Sequence, residues 1–271
     1  MSDFSAWVGR TEEREDRLDP VRSNVLLAAI GQPAGLKEGD LLPALHHWLH
    51  FWETRTPAET GPDGHPRRGG FLPPVPLPRR MWAGGRLIFR APLILGELVR
   101  KVSMIRSITA KSGRSGDLVF VTVTHALRGQ NGLAIEEEQD IVYRGESRSA
   151  SPEPEAAMAA SAETIMPDPV MLFRYSALTM NGHRIHYDRP YATGTEGYPG
   201  LVVQGPLQAS LLAALAEREL GAPLRTFGFR GLAPALADLD LHLHAYRTGT
   251  GLDLWTSQEG VRKMTAQAEA A

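Results

Sequence analysis

The segment 207–220 is the feature that most narrows the folds open to this chain. Its apolar residues recur at helical spacing with alanines between them, which is the pattern of a buried helix. Pro206 suits the first turn of this helix, and Gly221 suits its C-terminal cap. Three or four predicted strands then close the chain, over 224–232, 236–246, 251–257 and 261–269. A buried helix followed by antiparallel strands indicates an α+β fold.

The first half of the chain is also rich in predicted strands. Residues 117–127 are β-branched and alternate in polarity, and residues 133–144 read as a partner strand. The Gly-Gln-Asn-Gly turn at 129–132 joins them into a hairpin. Further predicted elements are strands over 93–100 and 101–109 and one or two helices within 1–35. The pattern indicates two copies of one α+β unit, the first less regular than the second.

Composition divides the chain near its middle. Residues 147–162 shift abruptly to Ser, Pro, Glu and Ala, which is typical of a linker. We therefore predict an N-terminal domain over 1–150 and a C-terminal domain over 163–271. The C-terminal domain contains the buried helix and the residues with the clearest chemistry.

A long Pro/Gly-rich run occupies residues 61–78 of the N-terminal domain. Proline lacks the backbone donor and fixes φ, so this run is neither a helix nor a central strand. Its aromatic and aliphatic residues favour an ordered, packed loop. Aromatic residues at short spacing around 41–51, among three histidines, likewise predict a packed face.

The overall charge and composition exclude several classes of function. The 271 residues carry a formal net charge of −2, which gives no reason to expect nucleic acid or an anionic membrane as partner. The absence of cysteine excludes disulfides, thiolate catalysis and thiolate metal sites. The N-terminal residues lack the apolar core of a secretory signal, and no stretch reaches the ~18 apolar residues of a membrane span. We expect a soluble, cytoplasmic protein.

The densest group of proton-handling residues is Asn181, His183, His186 and Asp188. Imidazoles titrate near neutral pH, which suits proton transfer between carbon and oxygen. The alternative is a surface loop of solvated histidines. Gly205 lies at the predicted helix start, where a free N–H and the helix dipole favour an oxyanion. The alternative for Gly205 is close packing.

Residues 172–216 resemble the hot-dog hydratases and dehydratases, in particular the MaoC-like enoyl-CoA hydratases. The family signature Gly-Asp-x-Asn-Pro-x-His, followed shortly by Asp, corresponds here to Met-Asn-Gly-His-Arg-Ile-His-Tyr-Asp at 180–188. The string Gly-Leu-Val-Val-Gln-Gly at 200–205 resembles the entry to the family's central helix. The Pro/Arg-rich segment 61–83 and residues 111–120 extend the resemblance to the branch of mesaconyl-C4-CoA hydratases and type-2 hydroxyacyl-thioester dehydratases.

The resemblance implies a double hot-dog, in which each unit is a helix wrapped by an antiparallel sheet. It implies addition of water across the double bond of an enoyl-CoA, with no metal site and no cofactor beyond the coenzyme A of the substrate. A homodimer is expected on the same ground. His186 matches the catalytic histidine, and Gly205 matches the oxyanion donor.

The departure from the family signature that matters most is at the catalytic aspartate, which falls on Asn181, and His183 is also unusual at its place. An amide cannot act as a base, so Asn181 can only orient water or substrate. We hypothesise that His186 is the general base and acid. His183 is interpreted as a second proton carrier or as a residue that orients Asn181. Asp188 either fixes a histidine tautomer or caps the following turn, and the turn is favoured.

Four arginines are candidates for binding the substrate, because substrates of this branch carry a free carboxylate that arginine can pair with. They are Arg184, Arg79, Arg80 and Arg86. Each could instead meet the phosphates of coenzyme A or lie at the surface.

The leading functional hypothesis is a hydro-lyase acting on a short branched dicarboxylyl-CoA such as mesaconyl-C4-CoA or itaconyl-CoA. A dehydratase of 3-hydroxyacyl chains on coenzyme A or acyl-carrier protein is the second. An acyl-CoA thioesterase and a non-catalytic acyl-CoA-binding subunit remain as further alternatives, because fold alone does not fix function.

Overall fold

The computed structural model describes residues 4–113, 116–145 and 163–271. The predicted linker at 147–162 lies outside these residues, so the domain boundary stays a prediction. The helices are α1 (Pro20–Ala29), α2 (Pro169–Thr179) and α3 (Gly205–Leu220). The strands are β1 (Thr11–Arg17), β2 (Arg79–Phe89), β3 (Leu98–Gly113), β4 (Gly116–Gly129), β5 (Gly132–Arg144), β6 (Glu163–Ile165), β7 (Leu224–Gly231), β8 (Leu241–Thr248), β9 (Gly251–Gln258) and β10 (Val261–Ala270).

The strands of the described chain form one antiparallel sheet in the order β1-β3-β4-β5-β2-β7-β10-β9-β8-β6. Strands β1–β5 come from the first half of the chain and β6–β10 from the second, and the two groups join where β2 pairs with β7. Gly84 lies at this junction, where an added Cβ would come within 2.5 Å of the carbonyl oxygen of Phe229. The α+β prediction is confirmed, and the two halves share one continuous sheet.

Helix α3 is the buried helix that the sequence predicts. Its apolar side chains pack against β7–β10, and Gln208 accepts a hydrogen bond from Thr256 of β9 at 2.7 Å. Gly221 ends the helix with φ 67°, a left-handed conformation that glycine adopts without steric cost. The four closing strands are confirmed, except that β8 begins at Leu241 rather than near residue 236. Gln258 hydrogen-bonds the backbone N–H and C=O of Leu236, which holds that segment as a loop.

The hairpin of β4 and β5 is confirmed, but other elements of the first half differ from prediction. The chain forms strand β1 before helix α1, where only helices were predicted. Residues 93–97 are a loop that buries Leu93 and Leu95, and Gly96 takes φ 94°, so the predicted strand 93–100 was wrong over its first part. Strand β2 and helix α2 were not predicted.

The Pro/Gly-rich run 61–78 is an ordered loop that covers part of the first-half sheet, as predicted. Val75 is fully buried in a cluster with Ile105, Val121 and Tyr143. Arg68 donates hydrogen bonds to the carbonyl oxygens of Val75, Leu77 and Pro78, which tie the loop to itself. Because proline offers few backbone donors, this side chain supplies the bonds that regular structure would otherwise provide.

The histidine-rich segment 41–51 is packed, also as predicted. Glu137 is buried beneath it and accepts hydrogen bonds from His47 and from the indole N–H of Trp48, each at 3.0 Å. Burial raises the pKa of Glu137, but the hydrogen bond from His47 and nearby positive charge outweigh this and lower it to about 2. Glu137 therefore remains an anion that anchors this segment. No helix in the described ranges is long and apolar enough to cross a membrane.

Candidate active site

His186 ends a short 3-10 turn, Arg184–His186, that follows helix α2. Its ring is buried, and its Nδ1 lies 2.7 Å from the carbonyl oxygen of Val202. A carbonyl can only accept, so Nδ1 carries the proton and Nε2 presents a bare lone pair. Burial lowers the pKa of His186 to about 4, with the hydrogen bond to Val202 opposing the shift. His186 is therefore a neutral base at neutral pH.

Asn181 and His183 lie beside His186, as the sequence predicts. The side-chain oxygen of Asn181 accepts a hydrogen bond from the backbone N–H of His183 at 3.1 Å, which shapes the turn. The ring of His183 lies 5.4 Å from that of His186, at an interplanar angle of 88°. Burial lowers the pKa of His183 to about 2, and the neighbouring His65 and His186 add to the effect. Both site histidines are uncharged at neutral pH.

A third imidazole, His65, joins this pair from the Pro/Gly-rich loop. Its ring lies 4.2 Å from the ring of His183, and its Nδ1 lies 3.1 Å from a carboxylate oxygen of Asp63. Burial lowers the pKa of His65, and the bond to Asp63 opposes this. The sequence analysis did not assign a role to His65 or Asp63. The available signal was the string Gly-Pro-Asp-Gly-His-Pro at 61–66, which composition marks only as a loop.

The loop carrying His65 is fastened directly to the histidine turn. The backbone N–H of Arg184 donates to the carbonyl oxygen of Asp63 at 3.0 Å, and its guanidinium donates to that of Pro62 at 3.0 Å. Gly64 and Gly182 meet backbone to backbone, and a Cβ on Gly64 would overlap the carbonyl oxygen of Gly182 at 1.8 Å. The two halves of the chain therefore meet at this site.

Gly64→Ala is expected to separate the loop from the histidine turn. Gly64 has φ +87°, so alanine there is strained by about 1–2 kcal/mol, and its Cβ also collides with backbone that cannot yield. Gly39→Ala is the matched control, because Gly39 has φ +94° and open space around its Cβ position. Gly64→Ala should lower Tm and reduce turnover well beyond Gly39→Ala. Equal effects of the two substitutions would contradict a tight contact.

Three of the four candidate arginines are already paired. Arg184 donates to Asp188 and stacks on a tyrosine ring at 4.1 Å. Arg79 donates to the carbonyl oxygen of Glu196 at 2.9 Å, and its Nε lies 3.7 Å from that residue's carboxylate. Arg86 pairs with two acidic side chains of β5 and lines a separate cavity of about 790 Å³ over the sheet. The structure brings Arg184 into the site but not Arg86.

Asp188 stabilises the turn that follows the histidines, which is the interpretation that the sequence favours. One of its carboxylate oxygens accepts from the two Arg184 nitrogens, and the other accepts from the backbone N–H of Tyr191 at 3.1 Å. These bonds lower the pKa of Asp188. Asp188 thus holds Arg184 and the start of the following π-helix, Tyr191–Thr195, in place.

Arg80, the fourth candidate arginine, lies near the histidines. Its charge acts on Asp63, His65 and His183, and it lies next to the hydroxyl of Tyr143. It forms no ion pair with any residue in the described ranges. A partly buried guanidinium without a carboxylate partner is suited to an anionic ligand.

Gly205 is the first residue of α3, and it follows Val202, the partner of His186, by three positions. A backbone N–H in the first turn has no partner within the helix and lies at the positive end of the dipole. The nearest atoms to an added Cβ are Met264 Cε at 3.8 Å and the Trp82 carbonyl oxygen at 3.9 Å, so close packing does not require glycine. The close-packing alternative is therefore not supported, and the oxyanion-donor role stays a prediction.

The sequence is similar to proteins of known type over its whole length. The family model described as hydroxyacyl-thioester dehydratase type 2 matches residues 45–237. The mesaconyl-C(4)-CoA hydratase of Chloroflexus aurantiacus is 45% identical over 275 residues, covering 99% of this chain and 98% of that protein. These matches cover both the loop that carries His65 and the turn that carries His186.

Two solved structures share the fold. HtdX of Mycobacterium tuberculosis superposes with a TM-score of 0.69 at 18% identity, over 97% of this chain and all of the other. A second protein of that organism, described as having a double hotdog fold, gives a TM-score of 0.61 at 13% identity, over 97% and 96% of the two chains. The predicted double hot-dog is confirmed, and the chain belongs to the hydroxyacyl-thioester dehydratase type 2 family.

Proposed function

We propose that this protein is a hydro-lyase that adds water reversibly to the double bond of an enoyl-CoA, acting on a short branched dicarboxylyl-CoA of the mesaconyl-C4-CoA type. The observation that carries the proposal is His186, a buried neutral imidazole whose Nδ1 is fixed by Val202 and whose Nε2 is bare. The similarity to a mesaconyl-C(4)-CoA hydratase supports the substrate class.

In the hydration direction, His186 Nε2 takes a proton from water as the water oxygen bonds to the β-carbon. The electron pair of the double bond moves onto the thioester oxygen, where the N–H of Gly205 stabilises the enolate. The α-carbon then takes up a proton. These steps run in reverse for dehydration, and they draw their protons and electron pairs from water, substrate and side chains alone.

Arg80 supplies selectivity for a substrate with a free carboxylate. Arg79 and Arg184 are held by acidic or carbonyl partners. Arg80 forms no ion pair among the described residues, and its charge acts on His183 and Asp63. A guanidinium can bind a carboxylate through two parallel hydrogen bonds. The proposal therefore assigns the carboxylate of a dicarboxylyl-CoA to Arg80.

The test is a panel of enoyl-CoA substrates with and without a terminal carboxylate. Hydration of each substrate is measured as the loss of enoyl-thioester absorbance. The wild type should prefer the carboxylates. Arg80→Gln should raise KM for these by roughly 10–100-fold, since a hydrogen bond to a charged group contributes about 1.5–3 kcal/mol. KM for the uncharged substrates should change little, and Arg86→Gln is the matched control.

A 3-hydroxyacyl-thioester dehydratase of neutral chains is the second candidate, and the family model favours it. It uses the same His186 and Gly205 but does not need a free Arg80. An equal preference of the wild type for neutral and carboxylate substrates would select this candidate. No turnover of any enoyl-CoA would contradict both and leave the non-catalytic acyl-CoA-binding interpretation.

A further inference from the structure

The proposed hydration leaves one proton transfer without a residue, the one at the α-carbon. The family's aspartate would be the natural candidate, but Asn181 stands at that position. Its amide does not titrate, and its oxygen is bound to the backbone N–H of His183. The missing carboxylate must therefore come from another part of the chain.

We infer that His65, supported by Asp63, replaces it, and that His186, His183 and His65 form a proton relay that ends at the α-carbon of the substrate. The inference rests on the proposed function. The three rings lie in sequence, with centroids 5.4 Å apart from His186 to His183 and 4.2 Å apart from His183 to His65. Asp63 accepts from Nδ1 of the last ring, His65, at 3.1 Å.

The relay conserves protons, and all three rings are neutral before the reaction begins. His186 takes a proton from water as the C–O bond forms and the enolate appears. The proton passes by way of His183, directly or through a bridging water, to His65 Nε2. The His65 imidazolium then gives it to the α-carbon as the enolate collapses, which returns all three rings to the neutral form. Dehydration runs the same transfers backwards, with His65 as the base that removes the α-proton.

Charge explains why the proton is held at His65. Of the three rings, His65 is the one bonded to a carboxylate, whereas Nδ1 of His186 is bonded to a neutral carbonyl. A carboxylate behind an imidazole fixes its tautomer and stabilises the imidazolium. Arg80, Arg68 and His183 also face His65, and the two arginines oppose its charging. Burial and these arginines together keep the pKa of His65 below its usual value despite the bond to Asp63, so a proton held there is readily released.

The experiment separates the two proton transfers in D2O. The wild type and variants are supplied with the hydrated 3-hydroxyacyl-CoA. Exchange of its α-hydrogen is followed by NMR, and dehydration by absorbance. His65→Gln should lose both α-hydrogen exchange and dehydration. Dehydration should fall roughly 10²–10⁴-fold, whereas KM and Tm should stay unchanged. His186→Asn should lose dehydration but retain α-exchange, because His65 still removes that proton. Asp63→Asn should slow α-exchange by at least tenfold, and exposed Arg67→Gln should match the wild type.

The possible failures are distinguishable. Retained α-exchange in His65→Gln overturns the relay, even if His186→Asn is inactive and the hydro-lyase assignment stands. Loss of α-exchange in His186→Asn also overturns it, because in the relay His65 removes the α-proton without needing His186. A wild type that turns over no substrate contradicts the proposed function instead. A merely structural role for His65 predicts that dehydration and α-exchange fall in parallel with Tm.

Discussion

His186→Asn is expected to lower kcat for hydration by roughly 10²–10⁴-fold, the contribution typical of a positioned acid–base group. Asparagine can still donate a hydrogen bond toward the carbonyl oxygen of Val202, so the turn is expected to keep its shape. It cannot accept a proton from water. KM should change little, because the side chain acts on the reacting water and not on the coenzyme A portion of the substrate. A variant that keeps most of its kcat would contradict the assignment.

The same residue sets the acid limb of the pH profile. Its folded-state pKa of about 4 lies below the usual value for histidine, so the active neutral form is present above this pH and is lost as the pH falls through about 4. The limb should disappear from the residual activity of His186→Asn.

Stability must be followed in parallel, because several buried histidines have lowered pKa values. Between about 4 and the usual histidine pKa of 6.5, the unfolded chain binds protons at His186 that the native state does not. The free energy of unfolding should therefore fall as the pH drops through this range. Circular dichroism at each pH separates loss of fold from loss of the base.

The parts of the fold that were predicted correctly are those whose signal is local. Helix α3 is indicated by the spacing of its apolar residues, a proline near its start and a glycine at its end. Strand β1 gives no such signal, because it lies at the edge of the sheet and carries the sequence TEEREDR. Glu13 forms an ion pair with Arg100 of the neighbouring strand, and this partner is unknown until β3 is placed.

In the candidate site, too, only the residues that are close together in the sequence could be predicted to meet. Asn181, His183 and His186 share one turn, so their proximity follows from sequence spacing alone. His65 and Asp63 reach them only through the contact of Gly64 with Gly182, which joins the two halves of the chain. The choice among the arginines also needs tertiary structure, because it depends on which of them already has a partner. Composition identifies the loop but not what it touches.

Gly205→Pro is expected to lower kcat by roughly 10²–10³-fold, which corresponds to the loss of one oxyanion donor, about 3 kcal/mol. Proline is acceptable in the first turn of a helix, where its missing N–H leaves no helical hydrogen bond unmade. The substitution therefore removes the donor while leaving α3 able to form. The loss should appear in kcat, since the negative charge on the thioester oxygen develops only in the transition state.

Gly205→Ala is the control that separates the donor from the space around it. It keeps the N–H, and its Cβ meets atoms only at ordinary contact distances of 3.8 and 3.9 Å. Because the next residue is Pro206, a side chain at this position carries some backbone restriction, and a small fall in Tm is expected for both variants. Gly205→Ala should keep kcat within a few fold. If alanine and proline reduce kcat equally and lower Tm by the same small amount, the glycine acts by leaving room for the substrate, and the oxyanion must be stabilised by another group.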